Sequence, residues 1–332
     1  MNSPELYFAL MGVGLVAYAL TGGADFGGGV WDLLARGPRK AAQREAIHHA
    51  IAPIWEANHV WLIFVVVLMF TVFPDAFAVI SISLHIPLTL ALVGIVLRGA
   101  AFTFRAYGMG AGERTWRRVF AWSSLVSPVF LGMALGATAT GAIRVDGGVV
   151  KTGFLAGWLS PFAITVGLLA LALFALLAAV YLTADTEGEV QEDFRRRALI
   201  TEVVAGGAAA VAFGTASRDA PALFAQLSGS EWTIIIQAAT AAAALATLAL
   251  LWTRRPRLAR YTVAAQVALV VLGFGLAMEG HIVRPDVSVS AAGARPEVMQ
   301  ALPPALAVGA ALLLPSLWFL FRVFKARDAV SR

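Results

Sequence analysis

Long apolar runs recur along the chain, and short polar segments separate them. A helix needs about 20 mostly apolar residues to cross a bilayer, and the runs approach or exceed that length. They lack the alternation of polar and apolar positions that barrel strands show, so each run is predicted to be a helix. The sequence therefore predicts an all-α polytopic membrane protein. Nine transmembrane helices are predicted, near residues 6–24, 54–73, 78–97, 119–143, 155–182, 199–216, 232–252, 260–279 and 303–323.

The 25 Lys and Arg residues are unevenly distributed between these predicted helices. Twenty lie in the segments that follow the odd-numbered helices, and five lie in the segments of the other side. Because cytoplasmic loops carry an excess of Lys and Arg, this split predicts an external N-terminus and a cytoplasmic C-terminus. One helix more or fewer would mix the two groups, so the split also favours nine helices.

The composition agrees with a chain that lies almost wholly in the membrane. Charged residues make up 14% of it and hydrophobic residues 59%, without counting 31 glycines. The mean hydropathy is +0.78. A soluble domain of this size cannot bury so much apolar surface, and a disordered chain is polar and rich in charge.

Three further classes are excluded or disfavoured by the same counts. The formal net charge is +5, but the basic residues lie between apolar runs, where they set topology, so no nucleic-acid partner is expected. The absence of cysteine excludes disulfides and cysteine-ligated clusters. No segment between the runs is long enough for a soluble domain. Residues 1–332 are therefore predicted to form a single transmembrane helical-bundle domain.

Polar and ionisable residues are costly inside a membrane, so the few that occur there are candidates for function. They concentrate at the predicted cytoplasmic ends of the first three helices. A glycine-rich segment closes the first helix, and its glycines favour close backbone approach and irregular turns. The candidate cluster comprises Asp25, Trp55, Glu56, Asn58, His59, Trp61, Arg98 and Arg105.

Two interpretations of this cluster are open. Glu56 and His59 are three residues apart and so share a helix face, and such groups beside an arginine can hold or transfer protons. On this interpretation Glu56, Asp25 and His59 are candidates for proton uptake. The alternative is structural: Glu56 and Asp25 pair with Arg98, with Arg105 or with a helix end.

A haem site in this chain is disfavoured by helix geometry. Of five histidines, only His59 and His85 lie in predicted transmembrane helices. An antiparallel turn at 73–75 leaves them about six residues out of register, or about 9 Å, which is poor for two ligands of one iron. No Ser-His-Asp arrangement and no His-x-x-x-His motif is present. We therefore expect no metal, no directly bound cofactor and no catalytic residue in this chain.

The cluster and its surroundings resemble subunit 2 (subunit II) of the cytochrome bd-type ubiquinol oxidases. The resemblance is strongest over residues 12–107 and rests on the order and content of short motifs. Beyond about residue 110 it rests mainly on length and hydropathy, and nine helices agree with the family. The motifs are Gly23–Gly29 (GADFGGG), Pro53–Ile63 (PIWEANHVWLI), Phe73–Pro74, Leu97–Gly99 and Phe102–Arg105.

The resemblance implies a non-haem subunit of a respiratory quinol:oxygen oxidoreductase in the bacterial cell (inner) membrane. Its partner would be a larger subunit 1 that carries the haems, b and d or b alone, and oxidises quinol. Small accessory subunits, membrane lipids and, in some members, a structural quinone are further partners. The reduction of oxygen to water would then draw its protons from the cytoplasm.

The resemblance also implies roles for individual residues. Glu56 stands where the family has the acidic residue of a proton-uptake route, and Asp25 matches the aspartate of the glycine-rich motif. His59 stands where many members have Glu or Gln, so at this position the chain departs from the family pattern.

Two other functions remain as alternatives. A proton-coupled secondary transporter also uses intramembrane carboxylates, although such carboxylates lie near the midplane and no inverted repeat is evident here. A purely structural partner subunit differs from the first hypothesis only in whether Glu56 matters.

Overall fold

The computed structural model describes residues 3–51, 55–106 and 112–330. Helices account for nearly all of these ranges, and two short hairpins complete them. The elements are α1 (Pro4–Leu33), α2 (Lys40–Ile51), α3 (Trp55–Asn58), α4 (Val60–Val72), α5 (Pro74–Ser83), α6 (His85–Ala106), α7 (Glu113–Ala137), β1 (Val145–Asp146), β2 (Val149–Val150), α8 (Pro161–Asp185), α9 (Gly188–Asp219), α10 (Pro221–Gly229), α11 (Glu231–Trp252), α12 (Pro256–Ala277), β3 (His281–Val283), β4 (Val287–Ser288) and α13 (Pro296–Val330).

The predicted membrane-spanning architecture is confirmed. Within the described ranges, eight helices are long and apolar enough to cross a membrane. A ninth crossing is obtained if Glu56–Val72 and Pro74–Ser83, which are bent by 117° at Phe73, count as one broken span. The described part of the chain is thus an all-α bundle with eight to nine candidate spans.

The predicted third helix, 78–97, is wrong at its start. Residues 74–83 form the separate helix α5, and the spanning helix α6 begins only at His85. Two prolines explain the division, since Pro74 begins α5 and Pro87 lies in the first turn of α6. A proline is tolerated in a first turn, where its missing N–H has no helical partner, but it breaks a helix interior.

The glycine-rich segment of the first helix does not form the irregular turn that was expected. Helix α1 continues through it to Leu33. The close approach predicted for these glycines is confirmed: a Cβ on Gly27 would collide with the backbone carbonyl of Phe174 on α8, and one on Gly29 would collide with Ser124 on α7. Helix α1 therefore lies against both α7 and α8 at its glycine-rich end.

Short hairpins lie beyond the ends of α7 and α12, and polar contacts join them. Strand β1 pairs with β2, and β3 pairs with β4, both antiparallel. Arg144 Nε lies 2.9 Å from Asp286 Oδ2, which connects the two hairpins. Arg284 Nη2 lies 3.4 Å from Glu279 Oε2, which forms a second ion pair in this region.

Helix α9 extends well beyond its apolar part. It begins at Gly188, whereas hydropathy alone predicted a start near residue 199. The additional turns carry charged side chains that connect α9 with the segment before α2. Arg39, for example, donates from Nε and Nη2 to the two carboxylate oxygens of Asp193, at 2.8 and 2.7 Å.

Candidate functional site

The centre of the predicted cluster is the carboxyl group of Asp25. Asp25 lies in the glycine-rich end of α1 and is 5% exposed. Asn58 donates from Nδ2 to Asp25 Oδ2 at 2.7 Å. Arg98 donates from Nη2 to the backbone carbonyl oxygen of Asp25 at 2.9 Å. Side chains of α3 and α6 therefore meet α1 at this residue, as the clustering of the motifs predicted.

Arg98 provides a buried positive charge beside Asp25. Its side chain is 1% exposed, and Nε donates to Ser124 Oγ at 3.2 Å. The guanidinium carbon lies 5.0 Å from the ring centroid of Phe26 and 5.1 Å from that of Phe120. Hydrogen bonds and aromatic faces both compensate a cation for lost water. Arg98 thus contacts Asp25, but it donates to the backbone carbonyl and not to the carboxylate, so the direct ion pair of the structural alternative is not formed between these two residues.

Glu56 and His59 differ in burial although they are three residues apart. Glu56 lies in the first turn of α3 and is exposed. His59 follows the end of α3 and is partly buried, with its ring centroid 5.9 Å from that of Tyr18 and 6.1 Å from that of Phe26. Asn58 lies between them in sequence and is 2% exposed. The segment therefore runs from an exposed carboxylate to the buried contact with Asp25 within two residues.

Tyr18 is a member of the site that sequence reasoning missed. Its side chain is 4% exposed, and among the described residues its hydroxyl group has no hydrogen-bond partner. Gly22 leaves room for its ring, because a Cβ there would lie 2.7 Å from Tyr18 Cε2. The sequence could have indicated this residue, because Tyr18 precedes Asp25 by seven residues, a spacing that places both on the same face of α1.

Three other residues of the predicted cluster contribute less to this geometry. Trp61 is partly buried on α4, with its ring 6.5 Å from that of Phe64. Trp55 and Arg105 belong to described helices, but their side chains lie outside the part of the chain that the structure describes.

The two histidines considered for haem ligation have different surroundings. His85 is exposed, donates from Nδ1 to the backbone carbonyl oxygen of Ile82 at 2.9 Å, and packs on Phe154. His59 packs on Phe26, the same ring on which Arg98 lies. Arg98 is thirteen residues beyond His85 on α6, which is about 20 Å of helix. The residues present thus do not fit a haem held by both histidines. Within the described ranges, no group of three or more metal-ligating side chains is present.

Comparisons with known proteins give a consistent result for the whole chain. A family model described as cytochrome bd terminal oxidase subunit II matches residues 3–324. The chain is 26% identical over 321 residues to a putative cytochrome bd menaquinol oxidase subunit II of Bacillus subtilis (strain 168), covering 92% of this chain and 91% of that protein. It is 28% identical over 206 residues to cytochrome bd-I ubiquinol oxidase subunit 2 of Escherichia coli (strain K12), covering 60% and 53% respectively.

A solved structure shows the same fold. The structure of bd oxidase from Geobacillus thermodenitrificans contains a chain that superimposes with a TM-score of 0.81 at 23% sequence identity. The match covers 98% of this chain and 99% of that one. The arrangement of the helices is therefore shared over the full length, including the region beyond residue 110, where the sequence motifs end.

Proposed function

The chain belongs to the cytochrome bd terminal oxidase subunit II family, and from this membership we propose that it is the haem-free subunit of a quinol-oxidising, oxygen-reducing membrane complex. Its proposed partner is a haem-bearing subunit 1, which would supply the haems b and d, or b alone, and the quinol site. The names of the relatives, a menaquinol and a ubiquinol oxidase subunit, support the substrate class. Catalytic residues are proposed to lie in the partner.

We further propose that the cluster around Asp25 forms part of a proton-uptake route. The observation that carries this proposal is a buried carboxyl group, 5% exposed, that accepts a hydrogen bond from Asn58 next to the exposed Glu56. A carboxyl group can hold a proton when protonated and accept hydrogen bonds when ionised, so two carboxyls at different depths can pass a proton inward.

Each neighbour of Asp25 has a defined role in this proposal. Glu56 takes up a proton at the surface, and Asp25 holds it inside the bundle. Arg98 stabilises the ionised form of Asp25 by its charge and fixes the backbone of α1 by its hydrogen bond. His59 and Tyr18 lie beside the route, and their ring nitrogens and hydroxyl group are the next groups able to carry a proton.

The proposed direction follows from the distribution of charge. The segments that follow α1 and α6 belong to the group that contains 20 of the 25 Lys and Arg residues. We therefore propose that the Asp25 end faces the cytoplasm, with an external N-terminus. Protons taken up there and consumed in making water would carry charge across the membrane.

The test compares variants of Glu56 in the purified complex with its partner subunit. Glu56→Gln removes the titratable group at nearly constant size, and Glu56→Asp retains it. We expect Glu56→Gln to slow quinol-dependent oxygen uptake, or to shift its pH profile, more than Glu56→Asp does. Glu231→Gln is the matched control, because Glu231 is likewise exposed in the first turn of a helix, at the start of α11.

Haem spectra distinguish the loss of a proton route from the failure of the complex to assemble. Reduced-minus-oxidised haem bands of normal intensity must accompany a slow Glu56→Gln variant for the proposal to hold. Equal activity of both Glu56 variants, at normal haem content, would leave only the structural alternative for this residue.

A further inference from the structure

A second buried carboxyl group lies far from the Asp25 cluster. Glu202 is near the middle of α9 and is 3% exposed, and Gln266 is near the middle of α12 and is 5% exposed. Gln266 donates from Nε2 to Glu202 Oε1 at 2.6 Å. Both helices are candidate membrane spans, so this contact lies well inside the bundle.

Apolar residues enclose the pair on both helices. On α9, Ala198 and Ala205 lie one turn to either side of Glu202, and both are fully or almost fully buried. On α12, Val263 and Val267 flank Gln266 and are equally buried. All four belong to one hydrophobic core, so the polar contact is flanked by buried apolar side chains on both helices.

The remaining polar atoms of the pair complement each other. Glu202 Oε2 and Gln266 Oε1 are both buried, and neither has a hydrogen-bond partner among the described residues if Glu202 is a carboxylate. Two acceptors cannot bond to each other. If Glu202 is instead a carboxylic acid, its O–H can donate to the amide oxygen while the amide N–H donates to its carbonyl.

No described cation compensates a negative charge on Glu202. The cation nearest in sequence on α9 is Arg197, which donates to Gln43 Oε1 at 2.7 Å and lies over the Trp31 and Phe194 rings. On α12, the cation nearest in sequence to Gln266 is Arg260, which forms an ion pair with Asp185 of α8. A buried carboxylate without a cation is strongly disfavoured in a membrane, whereas a neutral acid with both hydrogen bonds made is not.

We infer that Glu202 and Gln266 form a proton-binding site within the membrane, in which Glu202 keeps its proton and pairs with the Gln266 amide through two hydrogen bonds. The site joins α9 to α12 without any charge. It differs from the Asp25 cluster, which contains a buried cation and lies beside an exposed carboxylate.

Infrared difference spectroscopy of the purified complex at neutral pH tests this inference. Subtracting the spectrum of Glu202→Gln from that of the parent should leave one carboxylic-acid carbonyl band and no carboxylate bands. Glu279→Gln is the control, because the Glu279 side chain is 60% exposed and beside Arg284, so its difference spectrum should contain carboxylate bands. Loss of carboxylate bands in Glu202→Gln would overturn the inference.

A second variant keeps the test decisive if Glu202→Gln does not assemble. Gln266→Met retains the acid but removes its hydrogen-bond partner. We expect the acid carbonyl band to remain and to shift to higher frequency, since the carbonyl loses a hydrogen bond. An unshifted band, or its absence, would contradict the pairing. Neither measurement requires turnover, so the result is independent of the proposed proton route at Asp25.

Discussion

Asp25 and Glu202 are both carboxyl groups buried in the membrane bundle, but their surroundings differ in one essential respect. The backbone carbonyl of Asp25 accepts a hydrogen bond from the buried Arg98, and its carboxyl group accepts one from the Asn58 amide. Among the described residues, the one polar partner of the Glu202 carboxyl group is the Gln266 amide. A nearby cation allows a carboxyl group to lose and regain a proton, whereas an apolar enclosure holds it neutral. Under the roles proposed for these two residues, burial alone does not make a carboxyl group part of a proton route.

The largest predicted effect comes from removing Arg98, the buried cation beside Asp25. In Arg98→Met, Asp25 loses its neighbouring charge, and the backbone carbonyl and Ser124 lose a donor. Removing one partner of a buried charged pair costs about 3–5 kcal/mol. We expect a greatly reduced yield of assembled complex and a lower unfolding temperature in a thermal scan.

A double variant separates charge from packing at this position. Arg98→Met combined with Asp25→Asn removes both charges, so it should be more stable than Arg98→Met alone. If the two are equally unstable, Arg98 acts through its packing between Phe26 and Phe120, and the contrast between the two carboxyl regions would lose its electrostatic basis.

The two regions also differ in how far the sequence predicts them. Asp25, Glu56 and Arg98 stand in short motifs at the ends of neighbouring predicted helices, so their proximity follows from the sequence alone. Glu202 and Gln266 are 64 residues apart, and no periodicity indicates that they meet. Even so, Glu202 lies within the predicted helix 199–216, where an acidic residue alone marks a candidate site.

Hydropathy predicted the number of crossings better than their ends. It measures how apolar a segment is and not its direction, so the bend at Phe73 and the separate helix α5 were missed. The extension of α9 to Gly188 was missed for a related reason. Its charged turns are stabilised by ion pairs, such as Arg195 with Glu192 at 2.7 Å, which lower the mean hydropathy and so conceal the helix.

An intermediate effect is predicted for the packing that encloses the Asp25 cluster. A Cβ in Gly27→Ala would collide with the backbone carbonyl of Phe174, which cannot move without shifting α8. Overpacking of this kind costs about 1–3 kcal/mol. We expect a lower unfolding temperature for the complex. Gly206→Ala on α9 is the control, because nothing lies within 4 Å of a Cβ there. An equal loss in both variants would show that close approach to α8 is not what requires Gly27.

The smallest effect is predicted for replacing both Glu202 and Gln266 with apolar residues. Glu202→Leu alone leaves the buried Gln266 amide without its partner, which costs about 1–3 kcal/mol. The double variant Glu202→Leu with Gln266→Leu removes both polar groups, and exchanging a hydrogen-bonded pair for apolar side chains is nearly neutral. Thermal scans of the complex should therefore show the double variant unfolding close to the parent and above the single variant. If the double variant is no more stable than Glu202→Leu, an unpartnered Gln266 amide is not the cause of the loss, and the hydrogen-bonded pairing of Glu202 with Gln266 would lose its support.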